Sequence, residues 1–259
     1  MPTEYSQVFR DRRAVEKYDR EVYAPGSYAS AISERQRAYL RRLIPRAFPD
    51  RRPVQHDFAC GTGRAVRLLT GLVRAAHGYD PSPEMLDRAR DGGLIAHWHE
   101  IPATGPIPRP ATVDGPAVVT VFRLLLNVSD EVRHRALAFA ARVLPDAGAG
   151  LLIVENHGNA ASLRHLRARR RAGDPWFAEL SHRQVAGLFA AHGFTIVARH
   201  GFTFLPHAAY RRPWHRIARR LDDLLCRSGW LSRFATDVLY VAQRNGTAGR
   251  DGTGQREKG

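Results

Sequence analysis

The stretch His56-Asp-Phe-Ala-Cys-Gly-Thr-Gly-Arg64 decides the fold of this chain of 259 residues. The apolar residues of Val54–Cys60 predict a strand, and the pattern of Gly63–Arg74 predicts a helix. Gly61 and Gly63 allow a tight turn between them and let the backbone come close to a ligand. The start of the helix offers unpaired N–H groups to an anionic group. The stretch therefore predicts a ligand-binding turn, with an ordinary strand–helix turn as the alternative.

A second acidic position, Asp80, ends the short segment Ala75–Asp80 and lies seventeen positions beyond Gly63. An acidic residue about that far past a glycine turn accepts the ribose hydroxyls of a nucleoside cofactor. The alternative is a carboxylate that caps the next helix. That helix is predicted over Ser82–Arg90, begins with a capping serine and places Met85 where it can cover an adenine face. The spacing favours the nucleoside interpretation.

Strand-like apolar runs alternate with helical patterns through the rest of the chain. The other predicted strands are Ile95–His99, Ala117–Phe122, Gly150–Glu155, Phe194–Arg199 and Asp237–Ala242, and the other predicted helices are Ser33–Leu43, Ser129–Leu144 and Ser181–His192. This alternation, with nearly continuous apolar strands, predicts a mainly parallel sheet covered on both faces.

An NAD-binding domain is the first alternative, but the third glycine of the dinucleotide fingerprint is replaced by Val66. Asp57-Phe-Ala-Cys-Gly-Thr-Gly63 instead resembles the first motif of class I S-adenosylmethionine (SAM)-dependent methyltransferases. Four later segments of this chain also resemble segments of that family's sequences: Tyr79–Ala89, Val118–Asn127, Leu144–Glu155 and Asp237–Arg244. The resemblance extends in order over residues 54–244.

The resemblance implies an α/β fold with a Rossmann-like, seven-stranded, mostly parallel sheet of order 3-2-1-4-5-7-6 and helices on both faces. It implies one methyltransferase domain over residues 1–244, with a helical N-terminal lid in residues 1–52 and the SAM-binding core in residues 53–244. Residues 205–230 are expected to form an insertion on the substrate side. Residues 245–259 carry no apolar anchor and are expected to be disordered.

The same resemblance assigns SAM-binding roles. The methionine part of SAM would lie against the first motif, the ribose on Asp80, and the adenosine beside the start of the following helix. Phe122 would line the site of the methionine amino group or the methyl. The residues expected to bind SAM are Asp57, Ala59, Cys60, Gly61, Gly63, Asp80, Pro81, Ser82, Met85 and Phe122. The pattern departs from the family at His99 and Glu100, where an acidic residue usually approaches the adenine amino group.

Candidate catalytic residues follow the fourth and fifth predicted strands. His157 is the best candidate for a general base, with Glu155 or Asn156 to orient it, and an exposed loop histidine is the alternative. Arg123 can bind a substrate carboxylate or phosphate, or else form a salt bridge to the N-terminal helices. Asn127 follows the same strand as Arg123 and is a further candidate.

The expected substrate contacts are Asn156 and two tyrosines, Tyr23 and Tyr28. The tyrosines resemble aromatic residues of the mobile lid in related methyltransferases, and simple packing is the alternative for both.

Methyl transfer is an in-line displacement, and a hydroxyl nucleophile also needs a base. The sequence therefore predicts methylation of a small molecule, with oxygen slightly preferred over nitrogen or carbon as acceptor. A nucleic-acid methyltransferase and a non-catalytic SAM-fold binding protein are the alternatives.

The formal net charge of +15 raises the question of an anionic partner. The basic residues are scattered and nearly all arginine, and no nucleic-acid methyltransferase motif occurs, so a nucleic-acid partner is disfavoured. Residues 205–230 are basic and amphipathic, with Trp214, Ile217 and Leu221 on one face. They either lie on a membrane surface beside a lipid-linked substrate or pack on the sheet with their arginines solvated, and packing is favoured.

Cys60 and Cys226 are the only cysteines and form neither a disulfide framework nor a metal-binding pattern. The charged N-terminus lacks the apolar segment of a secretory signal, and no apolar run reaches the ~20 residues of a membrane span. These features predict a cytoplasmic protein without a metal site. No residue pattern indicates the oligomeric state.

Overall fold

Seven strands form the central sheet of the computed structural model. They are β1 (Val54–Phe58), β2 (Ala75–Asp80), β3 (His97–Glu100), β4 (Ala117–Val121), β5 (Gly150–Asn156), β6 (Phe194–Gly201) and β7 (Val238–Arg244). Their order is β3-β2-β1-β4-β5-β7-β6; the first five strands pair in parallel, and β7 runs antiparallel between β5 and β6. The predicted strand order is therefore confirmed. The structure describes residues 27–112, 114–162, 165, 179–205, 215–227 and 230–246.

Helices cover both faces of this sheet, as predicted. They are α1 (Tyr28–Ala47), α2 (Arg64–Leu69), α3 (Pro83–Asp91), α4 (Asp130–Val143), α5 (His182–Ala191) and α6 (His215–Arg227), with 3₁₀ turns at Leu125–Asn127 and Leu231–Phe234. On one face Phe139 of α4 and Phe189 of α5 belong to a buried cluster with Phe58 and Tyr79. On the other face Leu40 of α1 packs in a second cluster with residues of α2, β4 and β5. Because both faces are covered, β1, β4 and β5 are buried along their whole length.

Several predicted elements have other bounds in the structure. The helix after the glycine turn ends at Leu69, not at Arg74, because Thr70 is extended and Gly71 has a left-handed φ of 81°. The third strand begins at His97, since β3 is an edge strand that pairs only with β2 and Ile95 lies outside it with its side chain exposed. Ser181 caps the start of α5 in a capping box: its hydroxyl oxygen accepts from the Gln184 N–H, and the Gln184 side chain accepts from the Ser181 N–H.

The N-terminal helix is longer than predicted. It begins at Tyr28, where the Ser27 side chain accepts a hydrogen bond from the Ser30 backbone N–H at 3.1 Å, and it ends at Ala47. Residues 1–26, residues 206–214 and residues 247–259 lie outside the described residues. The first half of the lid, part of the insertion and most of the tail therefore stay predictions, and α1 lies in the second half of the lid segment. In the described part of the chain, no helix combines the length and apolarity that a bilayer crossing requires.

A row of histidines crosses the amino-terminal half of the sheet. His56 of β1, His77 of β2 and His97 of β3 are paired in register, with ring centroids 5.3 and 4.8 Å apart. The Ala111 N–H donates to the Tyr79 hydroxyl oxygen, which leaves the hydroxyl proton for His56 Nδ1 at 3.1 Å. Burial, followed by repulsion from His77 and His99, lowers the pKa of His56 to about 3. His56 is therefore neutral in the folded protein at neutral pH.

Acidification is expected to cost stability through His56. Its pKa is lowered in the folded state, so its contribution is complete above the unfolded value of about 6.5 and is lost as pH falls toward 3. At pH 5 the loss amounts to about 2 kcal/mol. Urea unfolding of the wild type and of His56→Gln at several pH values tests this, because the difference between the two proteins cancels the titration of other groups. Parallel curves for the two proteins from pH 7.5 to pH 5 would contradict it.

Candidate functional site

The glycine turn lies at the carboxyl end of β1 and has three residues with left-handed φ values: Ala59 at 56°, Gly61 at 52° and Gly63 at 76°. A Cβ on Gly63 would lie 2.6 Å from the Leu94 side chain and 2.9 Å from Trp98, so packing requires this glycine. A Cβ on Gly61 would meet only the Met85 sulfur, at 4.0 Å. The two glycines therefore differ, because Gly61 alone leaves open space beside the backbone.

Asp80 joins the glycine turn to the start of α3. Its Oδ2 accepts from the Gly61 N–H at 2.7 Å, and its Oδ1 accepts from the Ser82 N–H at 3.0 Å. The Ser82 hydroxyl, not Asp80, caps α3 by accepting from the Met85 N–H at 3.2 Å. Burial raises the pKa of Asp80 to about 6. Each carboxylate oxygen keeps a further lone pair, which suits the acceptance of two ribose hydroxyls.

Asp57 is the second-last residue of β1, and only one of its two carboxylate oxygens accepts a hydrogen bond from the described residues. Its Oδ1 accepts from the Thr120 hydroxyl at 2.6 Å, and among the described residues its buried Oδ2 has no hydrogen-bond donor. Burial raises the pKa of this carboxyl to about 7. A buried acceptor without a donor is costly unless a ligand supplies one. The ammonium group of the expected SAM methionine is such a donor, so the residues present fit this cofactor.

The remaining predicted SAM residues lie around the same turn. Cys60 and Met85 are buried and Pro81 is half-buried. Phe122 directly follows the neighbouring strand β4 and lies beneath the Arg64 guanidinium, whose central carbon is 5.7 Å from the ring centroid. Trp98, which sequence reasoning did not single out, packs against Gly78 at the paired position of β2. A glycine opposite an aromatic residue in the next strand is the signal that would have identified it.

A buried polar network lies beside the turn at the carboxyl end of β5. Arg64 Nη1 donates to Glu155 Oε2 at 2.8 Å, and Arg64 Nη2 donates to Gln36 Oε1 at 2.5 Å. Gln36 Nε2 closes the ring by donating to Glu155 Oε1 at 2.6 Å. Burial would raise the pKa of Glu155, but the charges of Arg64, Arg123 and His157 overcome it and lower the pKa to about 2. Glu155 is therefore ionised and fixed in position.

Arg123 and Asp237 belong to the same charge cluster. Arg123 lies two residues beyond the end of β4 and has a left-handed φ of 58°, uncommon for a residue with a side chain. Asp237 precedes β7, is buried and accepts from the Thr203 hydroxyl at 3.0 Å. Burial, then repulsion from Glu155, raises the pKa of Asp237 to about 6, against attraction to Arg123. Asp237 and Thr203 were missed by sequence reasoning because nothing local marks them.

The other predicted catalytic and substrate residues have different surroundings. His157 follows β5 and is half-buried, within electrostatic reach of Glu155. Asn156 is fully buried; its amide donates to the Leu180 carbonyl at 3.0 Å and accepts from the Gly158 N–H at 3.3 Å, so it holds the loop that carries His157. The side chains of Asn127 and Tyr28, and all of Tyr23, lie outside the described part of the chain. Across that described part, no three His, Cys, Asp or Glu residues are arranged to bind a metal ion.

Comparison with known protein families gives one match, to the methyltransferase domain, over residues 32–199. This range extends from α1 into β6 and contains the glycine turn, Asp80 and Glu155. No curated protein matches the sequence.

Solved structures share the fold at low sequence identity. A SAM-dependent methyltransferase from Thermotoga maritima aligns with a TM-score of 0.57 and 16% identity, over 92% of this chain and 99% of that one. The magnesium protoporphyrin IX methyltransferase of Synechocystis PCC 6803, with bound S-adenosylhomocysteine, gives 0.53 and 14%, over 90% and 99%. The geranyl diphosphate C-methyltransferase of Streptomyces coelicolor A3(2) gives 0.52 and 16%, over 91% and 88%.

Proposed function

Because the chain belongs to the methyltransferase domain family and is a class I SAM-dependent methyltransferase, we propose that it methylates a small-molecule acceptor, with oxygen preferred over nitrogen and carbon. SAM supplies the methyl group as an electrophilic sulfonium. The observation that carries the proposal is the charge cluster of Arg64, Glu155, Arg123 and Asp237 beside the glycine turn. Charges of both signs at this edge, three of the four of them buried, favour a small and polar acceptor.

Two of the solved structures support a small acceptor by what their names state. One enzyme acts on magnesium protoporphyrin IX, and the other was solved with geranyl diphosphate, so this fold accommodates small molecules with acidic groups. Arg123 is the residue proposed to bind such a group, because a guanidinium offers two parallel donors to a carboxylate or phosphate. Its left-handed backbone holds the side chain just beyond the end of β4.

His157 is proposed as the general base that takes the proton of the acceptor hydroxyl. The ionised Glu155 stabilises the imidazolium that this transfer creates, since its carboxylate stays negative well below neutral pH. Asn156 is proposed to act by position, because its two hydrogen bonds fix the backbone next to His157. Tyr23, Tyr28 and Asn127 remain proposed contributors to the substrate side, and residues 1–52 remain the proposed lid.

The experiment is transfer of a labelled methyl group from SAM to a panel of acceptors: phenols and alcohols, acidic isoprenoids, amines, carbon acids and RNA. Mass spectrometry and nuclear magnetic resonance of the product identify the methylated atom. An O-methylated small molecule supports the proposal. Transfer to RNA alone would support the alternative that the net charge of +15 suggests and would reject the proposal.

The substitution His157→Gln is expected to lower kcat about 100-fold with a hydroxyl acceptor, as loss of a general base typically does. The KM for SAM should stay unchanged, because His157 lies outside the residues proposed to bind SAM. His134→Gln is the control, since His134 is exposed on α4 and pairs with His192 at 2.9 Å. Equal kcat values for wild type and His157→Gln would show that another group, or no group, removes the proton.

A further inference from the structure

Helix α6 has the opposite orientation to the one that its sequence predicts. Its inward face carries Asp222, which is fully buried, while Ile217, Leu221 and Leu224 are 53%, 47% and 64% exposed. Asp222 fixes this orientation, because it accepts from Arg35 of α1 at 3.0 Å and from the Phe204 N–H at 3.1 Å. The predicted packing of Ile217 and Leu221 onto the sheet is therefore wrong.

The exposed leucines and isoleucine form one stripe. Ile217, Leu221 and Leu224 stand at positions i, i+4 and i+7 of a helix, which lie on the same side. Six large hydrophobic side chains are exposed in the described part of the chain, and four of them lie between residues 217 and 230, with Trp230 at 62% exposure as the fourth. Scattered single exposed residues are ordinary, but a concentration of this kind marks an interaction surface.

Charge complementarity identifies the partner. Exposed Arg220 stands beside the stripe, and the Arg233 guanidinium lies 4.9 Å above the Trp230 ring. The α6 sequence carries four arginines against two aspartates, Asp222 and Asp223, and Asp222 is buried and paired with Arg35. An apolar stripe flanked by arginine and followed by tryptophan fits the interface of an anionic bilayer. A nucleic acid would complement the arginines but would leave the aliphatic side chains in water.

We propose that α6 and Trp230 bind the surface of an anionic lipid membrane, with Ile217, Leu221 and Leu224 inserted at the level of the headgroups. The helix is anchored beside the charge cluster, because Arg35 contacts Asp222 and the next residue, Gln36, contacts Glu155. Membrane binding thus brings the methyl-transfer site to the bilayer surface. The inference concerns binding alone and does not depend on the acceptor proposed above.

The test is co-sedimentation of the full chain with vesicles of phosphatidylcholine alone or with about one third phosphatidylglycerol. We expect binding to the anionic vesicles that weakens with salt and falls about tenfold or more in Leu221→Gln/Leu224→Gln. Arg220→Gln should weaken it about fivefold by removing one charge near the surface. Ile95→Gln is the matched control, because Ile95 is 97% exposed and lies just before β3, at the opposite end of the strand order from β6. This variant should bind as the wild type does. Urea unfolding establishes that each variant is folded.

Four results would overturn the proposal. The first is that the double variant sediments with anionic vesicles as the wild type does, and the second is that the wild type does not bind these vesicles at all. The third is a concentration-dependent dimer of the wild type that the double variant does not form, because such a dimer would assign the stripe to a second copy of the chain. The fourth applies if the double variant does not fold. In that case, wild-type tryptophan fluorescence that bromine-labelled anionic lipid does not quench would overturn the proposal. Quenching in the wild type that decreases in Trp230→Phe would support membrane contact independently of the leucines.

Discussion

Replacement of Asp80 by alanine is expected to weaken binding of S-adenosylhomocysteine about 1,000-fold, since it would remove the two charge-assisted hydrogen bonds that we propose between this carboxylate and the ribose hydroxyls. The Asp80 carboxylate is already held in a fixed orientation without a ligand. It is buried, and the Gly61 and Ser82 N–H groups hold one oxygen each, so that it does not have to reorganise when a ligand arrives. Titration calorimetry of the wild type and the variant measures the ratio of dissociation constants.

A graded series makes the test specific. Asp80→Asn keeps one acceptor oxygen and should give an intermediate loss, whereas Asp87→Asn, at an exposed position on α3, should bind as the wild type does. Burial raises the pKa of Asp80 to about 6, so wild-type affinity should fall as pH decreases through that value and the carboxylate takes a proton. Unchanged affinity in Asp80→Ala would remove the ribose role from this residue.

Replacement of Glu155 by glutamine is expected to lower the free energy of unfolding by about 3–5 kcal/mol, because it leaves the buried Arg64 guanidinium without its counter-charge. Arg64→Met should have a similar effect, because it removes the hydrogen bond from Nη1 and the largest of the attractive charges that act on the buried Glu155 carboxylate. Both partners are nearly inaccessible to water, with side-chain exposures of 9% and 0%. Denaturation in urea at neutral pH measures both changes.

The paired replacement separates the network from the fold. Arg64→Met/Glu155→Leu should recover most of the stability that either single variant loses, since no buried charge is left alone. The pair Arg90 and Asp87, with exposures of 48% and 69%, is the matched control, and Arg90→Gln should change stability by less than about 1 kcal/mol. Additive losses in the double variant would show that the two side chains are not energetically coupled.

The architecture was predictable because its signals are local. The glycine turn, the acidic residue at the end of β2 and the apolar runs of β4 and β5 are each contained in a few consecutive residues. Together they carry the resemblance to class I methyltransferases, and that resemblance implies the observed strand order. Element ends were less predictable. Thr70 ends α2 by an extended backbone angle, and the start of β3 depends on where the partner strand β2 offers hydrogen bonds.

The polar side of the site was only partly predictable because its contacts join distant parts of the chain. Arg64 stands inside the quoted motif, yet its partners Gln36 and Glu155 are 28 and 91 positions away. Asp237 is brought to this cluster by the position of β7 in the sheet. The orientation of α6 likewise depends on Arg35, which no periodicity within α6 can reveal.

The position of β7 in the sheet affects how the protein can fold during its synthesis on the ribosome. Among the described strands, β6 pairs with β7 alone, and β7 is synthesised after it. β6 therefore lacks this partner while it emerges from the exit tunnel. The half of the sheet formed by β1 to β5 can assemble during translation by pairing strands already made. The half that carries Asp237 must assemble later, and until then the open edge of β5 needs protection from other nascent chains.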